Sequence, residues 1–209
     1  MPATRGTLRQ YGVALRAMLV LTLILGVLYP LTITLIGQLA LPVQANGSMV
    51  TEKDTVVGSS LIGQSFTDAD GAPLPEWFQS RPSAAGVGYD AGASSGSNWG
   101  PENPDLIAAI GDRQAAIGTS DGAPLAEIPA DAVTASSSGL DPHISPEYAR
   151  LQIDRVADAR SLDRTAVAGL VESMIQGRDL GYLGEPIVNV LALNMALEEL
   201  AQAEMDAKN

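Results

Sequence analysis

The chain has 209 residues, a formal net charge of −12, no cysteine and one histidine, His143. Twelve Lys+Arg against 24 Asp+Glu leave no basic face for a phosphate backbone, so no nucleic-acid partner is expected. The missing thiols exclude a disulfide framework, thiolate metal sites and a cysteine nucleophile, and a single imidazole excludes a multi-histidine metal centre.

From Ala17 to Ile36 run 20 residues without a charge, AMLVLTLILGVLYPLTITLI. As a helix this stretch reaches about 30 Å, the hydrocarbon thickness of a bilayer. Arg5, Arg9 and Arg16 precede it, and the first acidic residue is Glu52. Residues 52–209 carry nine basic against 24 acidic residues. The positive-inside rule keeps the arginines cytoplasmic and sends the acidic remainder across the membrane. Gly26 and Pro30 interrupt the run and are tolerated where neighbouring helices re-satisfy the backbone, which predicts packing against other membrane segments. The rival reading is a cleaved leader ending at Val43-Gln44-Ala45. Its apolar core would be about 7–15 residues, shorter than this run, so a retained anchor is preferred. Both readings put the rest of the chain outside the cytoplasm of a bacterial-type cell. The expected division is a cytoplasmic tip and anchor over 1–45 and an extracytoplasmic domain over 46–209.

Pro42 and Gly47 break a link over 37–54. Strands are predicted at Thr55–Val57 and Ser60–Phe66. Residues 67–104 are rich in Gly, Pro, Ser and Asn yet hold Trp77, Phe78, Tyr89 and Trp99, which predicts an ordered, packed loop. Asn103-Pro104-Asp105 is a helix start with a cap, a first-turn proline and a carboxylate at the positive end. That helix is expected to reach Ile117 and stop at Gly118. Ser145-Pro146-Glu147 repeats the start. Ala149, Ile153, Val156 and Ala157 follow as an apolar stripe, with Arg150 and Asp154 paired on the wet face. A helix over 163–176 turns Val167, Leu170, Val171 and Met174 inward and stops at Gly177. A short strand is predicted at 187–190 and a last helix at 193–204. The fold class is α+β: one transmembrane helix, then a single extracytoplasmic domain of several helices and a few short strands.

No G-x-x-x-x-G-K-[ST] loop and no Asp-Lys-Thr-Gly run occur, and the two lysines, Lys53 and Lys208, follow no glycine-rich turn. Gly92-Ala93-Ser94-Ser95-Gly96 fits the G-x-S-x-G nucleophile elbow, but that elbow requires a strand before it and a helix after it, and neither is predicted here. A serine hydrolase using Ser94 and His143 is therefore the alternative reading. Residues 131–146 form the densest polar cluster, with Thr134, three serines and Gly139 just ahead of the helix that Ser145 caps. Such donors suit an anion. With no lysine beside them, the preferred reading is a tight turn whose hydroxyls satisfy their own backbone, with His143 a hydrogen-bonded turn residue. Arg150, Arg155, Arg160, Arg164 and Arg178 interleave with carboxylates and read as a solvated, ion-paired face, each pair contributing under about 1 kcal/mol.

Long strings along the chain resemble the C-subunit family of the Kdp-type potassium-transporting ATPase. They are GSSLIGQSF (58–66), WFQSRPSA (77–84), ASSGSNWGPENPDL (93–106), TASSSGLDPHISPEYARLQIDRVADAR (134–160) and LGEPIVNVLALNMAL (183–197). The resemblance implies a non-catalytic subunit of an inner-membrane complex that imports potassium with ATP hydrolysis. Its partners there would be a channel-like potassium-binding subunit, a P-type pump subunit and the lipid bilayer. The family is described as an assembly factor and as a catalytic chaperone that raises the pump subunit's affinity for ATP. That account likens the middle of the 134–160 segment to the signature loop of ABC transporters. The nearest match here is Ser136, Ser137, Ser138, Gly139 and Leu140, without the full Leu-Ser-Gly-Gly-Gln. An extracytoplasmic domain meets little ATP, so no cofactor is assigned to the chain itself, and ATP is expected to act through the pump subunit. Partner contact is expected in the loop 83–104, at Asn98 and Trp99, and in the turn 134–146, at Asp141 and His143.

Overall fold

In the computed structural model, residues 4–208 are described, and the chain divides into two compact units at Met49/Val50. The first unit is a long apolar rod. Helix α1 (Thr4–Leu23) runs through a π-turn (Ile24–Leu28) into α2 (Tyr29–Ala40), and Leu41 separates this from the short α3 (Pro42–Ala45). Pro30 explains the π-turn. Its ring has no N–H and crowds the carbonyl four residues back, at Gly26. The ladder shifts register just before it, and the Tyr29 N–H reaches back to the Ile24 carbonyl. The stretch Thr7–Ala40 is long and apolar enough to cross a bilayer, and none of its central residues is buried within the chain. At about 1.5 Å per residue it is roughly 50 Å long and exceeds the hydrocarbon core.

The second unit is mixed helix and strand, as expected. Strands β1 (Met49–Glu52) and β2 (Thr55–Ser59) form one two-stranded sheet. A second pairs β3 (His143–Ile144) antiparallel with β4 (Val188–Asn189), His143 opposite Asn189 and Ile144 opposite Val188. The helices are α4 (Pro104–Ser120), α5 (Ala130–Val133), α6 (Pro146–Leu151), α7 (Ile153–Arg160), α8 (Arg164–Met174) and α9 (Val190–Lys208). Their buried faces meet in one core, which holds Phe78, Ile144, Val156, Val167, Val171, Val188, Leu193 and Leu197. The stripe at Ala149, Ile153, Val156 and Ala157 is buried as its spacing predicts.

Three helices start where the sequence places them. Asn103 accepts from the Asp105 N–H at 2.7 Å, Ser145 from the Tyr148 N–H at 3.1 Å, and Asp163 from the Thr165 and Ala166 N–H groups at 2.7 and 3.1 Å. Other expectations are corrected. Ser60–Phe66 forms no strand; the Ile62 N–H turns back to the Ser59 carbonyl at 3.3 Å and the Gly63 N–H donates to the Leu140 carbonyl at 2.9 Å. Helix α4 passes through Gly118 and ends at Ser120, ahead of Gly122, which carries the positive φ of 65°. The helix after Ser145 breaks at Gln152. The Gln152 Nε2 donates to the Tyr148 carbonyl at 3.3 Å, the acceptor an unbroken helix would assign to its own N–H, and that N–H turns to Ala149. Helix α9 begins at Val190, three residues early, because Asn189 Oδ1 accepts from the Ala192 N–H at 3.0 Å. Arg150 and Asp154 do not pair with each other. Arg150 reaches Glu172 on α8 at 2.6 Å, and Asp154 takes Arg164.

Candidate functional site

The irregular segment 60–103 is held in place by side chains that satisfy its backbone. Ser83 Oγ accepts from the Tyr89 N–H at 2.8 Å and donates to the Gly139 carbonyl at 2.6 Å. The Ser95 N–H and the Ser94 Oγ both donate to the Ser138 carbonyl, at 2.9 and 3.0 Å. Gln79 Nε2 donates to the carbonyls of Phe66 and Leu74. The two segments expected to meet partners, 83–104 and 134–146, are thus joined to each other.

Gly139 is the tightest point of this junction. Its φ is +67°, and a Cβ there would lie 2.6 Å from the Ser95 carbonyl oxygen and 2.7 Å from the Ala85 nitrogen. The serines serve the turn itself. Ser136 is buried, the Gly139 N–H donates to the Ser136 carbonyl at 3.3 Å, and Ser138 Oγ accepts from the Leu140 N–H at 3.1 Å. Ser137 is exposed and Leu140 half-buried.

Asp141 is the hub of the turn. Its Oδ2 takes Arg81 Nη1 at 3.0 Å, and its Oδ1 accepts from the His143 backbone N–H at 3.0 Å, with the His143 Nδ1 at 3.4 Å. Burial alone would raise the Asp141 carboxyl. The hydrogen bonds from the His143 side chain and backbone and the Arg81 charge outweigh it, and the carboxyl is held below its usual range. Tyr89 donates to the Arg81 carbonyl at 2.8 Å, and burial pushes its phenol up to about 12. Asn98, at a φ of +54°, and Trp99, 39 % exposed, lie on the outer run of the loop, two and three residues past Gly96, which itself packs on the Ser137 carbonyl.

The hydrolase arrangement does not form. Ser94 follows a short 3₁₀ turn (Ala91–Ala93) rather than a strand, and its hydroxyl is spent on Ser138. His143 faces Asp141, and no hydrogen bond among the described residues joins it to Ser94.

The arginines expected on a solvated face split into two kinds. Arg150, Arg164 and Arg178 are surface pairs with Glu172, Asp154 and Glu185. Arg155 and Arg160 are half-buried and staple the loop. Arg155 pairs with Asp121 at 2.8 Å, their side chains only 9 % and 4 % exposed, and donates to the Trp77 carbonyl at 3.0 Å. Arg160 pairs with Glu198, donates to the Glu76 carbonyl at 2.7 Å and stacks over the Trp77 ring at 4.1 Å. Mixed charge at helical spacing looks alike for both kinds, because the loop they bind lies about 80 residues away.

Sequence reasoning also missed a cleft of about 460 Å³ between α4 and the segment 65–89, lined in part by Phe66, Arg81, Tyr89, Arg113, Tyr148 and Arg155. Its residues come from four distant stretches and carry no common spacing.

The helical domain with short strands, following one apolar N-terminal helix in the chain, defines the class: a small mixed domain with one candidate membrane span among the described residues. The family profile described as KdpC, K+-transporting ATPase, c chain, matches residues 11–199, and the chain belongs to that family. It is 50 % identical over 199 residues to a protein of Kineococcus radiotolerans, covering 95 % of this chain and 98 % of that one. A protein of Methylococcus capsulatus is 53 % identical over 188 residues, covering 90 % and 96 %, and one of Mycobacterium tuberculosis 48 % over 193, covering 92 % and 99 %. All three are named potassium-transporting ATPase KdpC subunit.

Proposed function

We propose that the chain is a non-catalytic accessory subunit of an ATP-driven potassium-import complex, assembling and stabilising its channel-like potassium-binding subunit and its P-type pump subunit. The observation that carries this reading, beside the family match, is the Thr7–Ala40 rod, apolar and without a buried residue in its central stretch. Such a surface suits lipid or other membrane helices around it. The π-turn ahead of Pro30 gives the rod an irregular backbone of the kind that packed membrane helices carry.

In this reading the N-terminal arginines stay on the cytoplasmic side of the inner membrane. The acidic domain lies outside, over the outer mouth of the potassium path, where its carboxylate excess attracts cations. Asn98, Trp99, Asp141 and His143 belong to the face that meets the partners, and ATP acts through the pump subunit. The test is deletion of residues 1–40 followed by co-purification and potassium uptake. Loss of the chain from the complex, with loss of uptake, is expected. A complex that assembles and transports normally would overturn docking through the anchor.

A further inference from the structure

We propose that the cleft beside α4 binds a small organic carboxylate with an apolar body, its carboxylate held by Arg113. The cleft's volume, about 460 Å³, lies within the range of small-molecule sites, about 300–1,000 Å³. Arg113, Ala116, Ile117 and Ser120, at i, i+3, i+4 and i+7, present one face of α4 to it. Phe66, Pro73, Pro75 and Pro82 supply an apolar wall.

Arg113 carries the argument. Every other arginine from Arg81 to Arg178 has a carboxylate within 4.0 Å. Arg113 has none among the described residues, in a domain where acidic residues greatly outnumber basic ones. Its one side-chain hydrogen bond there is from Nη1 to the Val133 carbonyl at 2.8 Å. It is half-buried, and burial lowers its pKa with no neighbouring charge to offset this. A partly desolvated cation without a counter-ion is a natural place for an anion to bind.

Two further polar groups on lining residues have no hydrogen-bond partner among the described residues. Arg81 Nε is fully buried with no hydrogen-bond partner. Tyr148 is 4 % exposed, its hydroxyl has no partner among the described residues, and burial pushes its pKa up, so it stays a donor. The Arg155 charge in the same wall is cancelled by Asp121 at 2.8 Å and that of Arg81 by Asp141 at 3.0 Å. Among the arginines that line the space, Arg113 alone has no paired carboxylate among the described residues. That matches a monoanionic carboxylate, whose two oxygens fit a guanidinium fork, better than a phosphate dianion. This assignment stands apart from the assembly role, since every residue it uses lies within one unit.

The test is calorimetry on the purified full-length chain in detergent, with phenylacetate, its uncharged analogue phenylacetamide, and phenyl phosphate as probes. Phenylacetate is expected to bind at least about ten-fold tighter than the amide, and Arg113→Gln to remove that difference while Arg113→Lys keeps part of it. Equal binding of acid and amide, no binding of the acid up to about 10 mM, or tighter binding of phenyl phosphate would each overturn the assignment. So would a difference that survives in Arg113→Gln. Should that variant fail to fold, the acid–amide comparison on the unaltered chain decides alone.

Discussion

Asn194 brackets Phe78: its Oδ1 accepts from the Phe78 N–H at 2.9 Å, and its Nδ2 donates to the Phe78 carbonyl at 2.9 Å. A side-chain amide on α9 thereby acts as a strand partner for a loop residue 116 positions earlier. Both residues are fully or almost fully buried. The next residue is held the same way, since Gln152 Oε1 accepts from the Gln79 N–H at 2.6 Å and its Nε2 donates to the Gln79 carbonyl at 3.3 Å. Together the two amides let an irregular segment cross the core without leaving its backbone unpaired.

Replacing Asn194 by Leu fills the space but orphans both backbone groups of Phe78. The expected loss is about 2–4 kcal/mol, from two buried polar groups left unsatisfied. It is read as a shift of the urea midpoint of the full chain in detergent, with m unchanged. A loss under about 0.5 kcal/mol would mean that water replaces the amide.

Two glycines with the same sign of φ separate strain from space. Gly139→Ala meets backbone atoms at 2.6 and 2.7 Å, whereas Gly71, at a φ of +83°, has nothing within 4 Å of its Cβ position. Gly71→Ala is expected to cost about 1 kcal/mol, the conformational penalty alone. Gly139→Ala is expected to cost at least about 2 kcal/mol more, since the 83–96 and 136–140 segments must move apart. Equal costs would show that the junction yields without resistance.

The helices of this fold are legible in the sequence and its loop clamps are not. Capping residues, first-turn prolines and apolar stripes act within a few positions, so Asn103, Ser145 and Asp163 announce their helices directly. Asn189 reads as part of a strand, although it also caps α9, because strand and cap share one residue. Gln152, Asn194, Arg155 and Arg160 look like ordinary polar positions on helices. Their partners, the carbonyls and N–H groups of residues 76–79, are backbone atoms that no residue identity reveals. The same holds for the turn at 134–146: its self-satisfied hydroxyls are evident from composition, but its docking on Ser83, Ser94 and Ser95 is not.

Asp141 makes the domain acid-sensitive. Its folded pKa lies below the unfolded value of about 4. The stability it contributes is therefore fully present above about pH 4 and is lost as the pH falls through the folded pKa. Asp141→Asn keeps an acceptor but removes the charge facing Arg81. It is expected to lower stability by about 2 kcal/mol at pH 7 and to flatten the pH dependence below pH 4. An unchanged acid limb in urea titrations of the variant would refute this.

The apolar rod offers a geometric test. A π-turn adds one residue to the helical winding and so rotates α2 by about 100° relative to its place in an unbroken helix. In Pro30→Ala the clash with the Gly26 carbonyl disappears, and the rod is free to close as a regular α-helix from Thr4 to Ala40. Residues 4–23 and 29–40 would then present different relative faces to their neighbours. Weaker co-purification with the transport subunits is expected, at unchanged helix content by circular dichroism. Full assembly of the variant would mean that partners grip only one half of the rod.

The side of the membrane that the domain occupies is open to direct labelling, because no native thiol competes. Ser97 is exposed on the loop between Gly96 and Trp99, so Ser97→Cys adds a reactive group without touching the core. In intact spheroplasts a membrane-impermeant maleimide is expected to modify this cysteine as fully as after lysis. Modification only after lysis would place the acidic domain in the cytoplasm, and capping of the outer mouth would be wrong. Protection that disappears when the transport subunits are absent, with the label still reaching the chain from outside, is the result expected if the Asn98–Trp99 run meets a partner. The two results differ in whether removing the partners, or only opening the membrane, restores reactivity, so one cysteine resolves both the side and the contact.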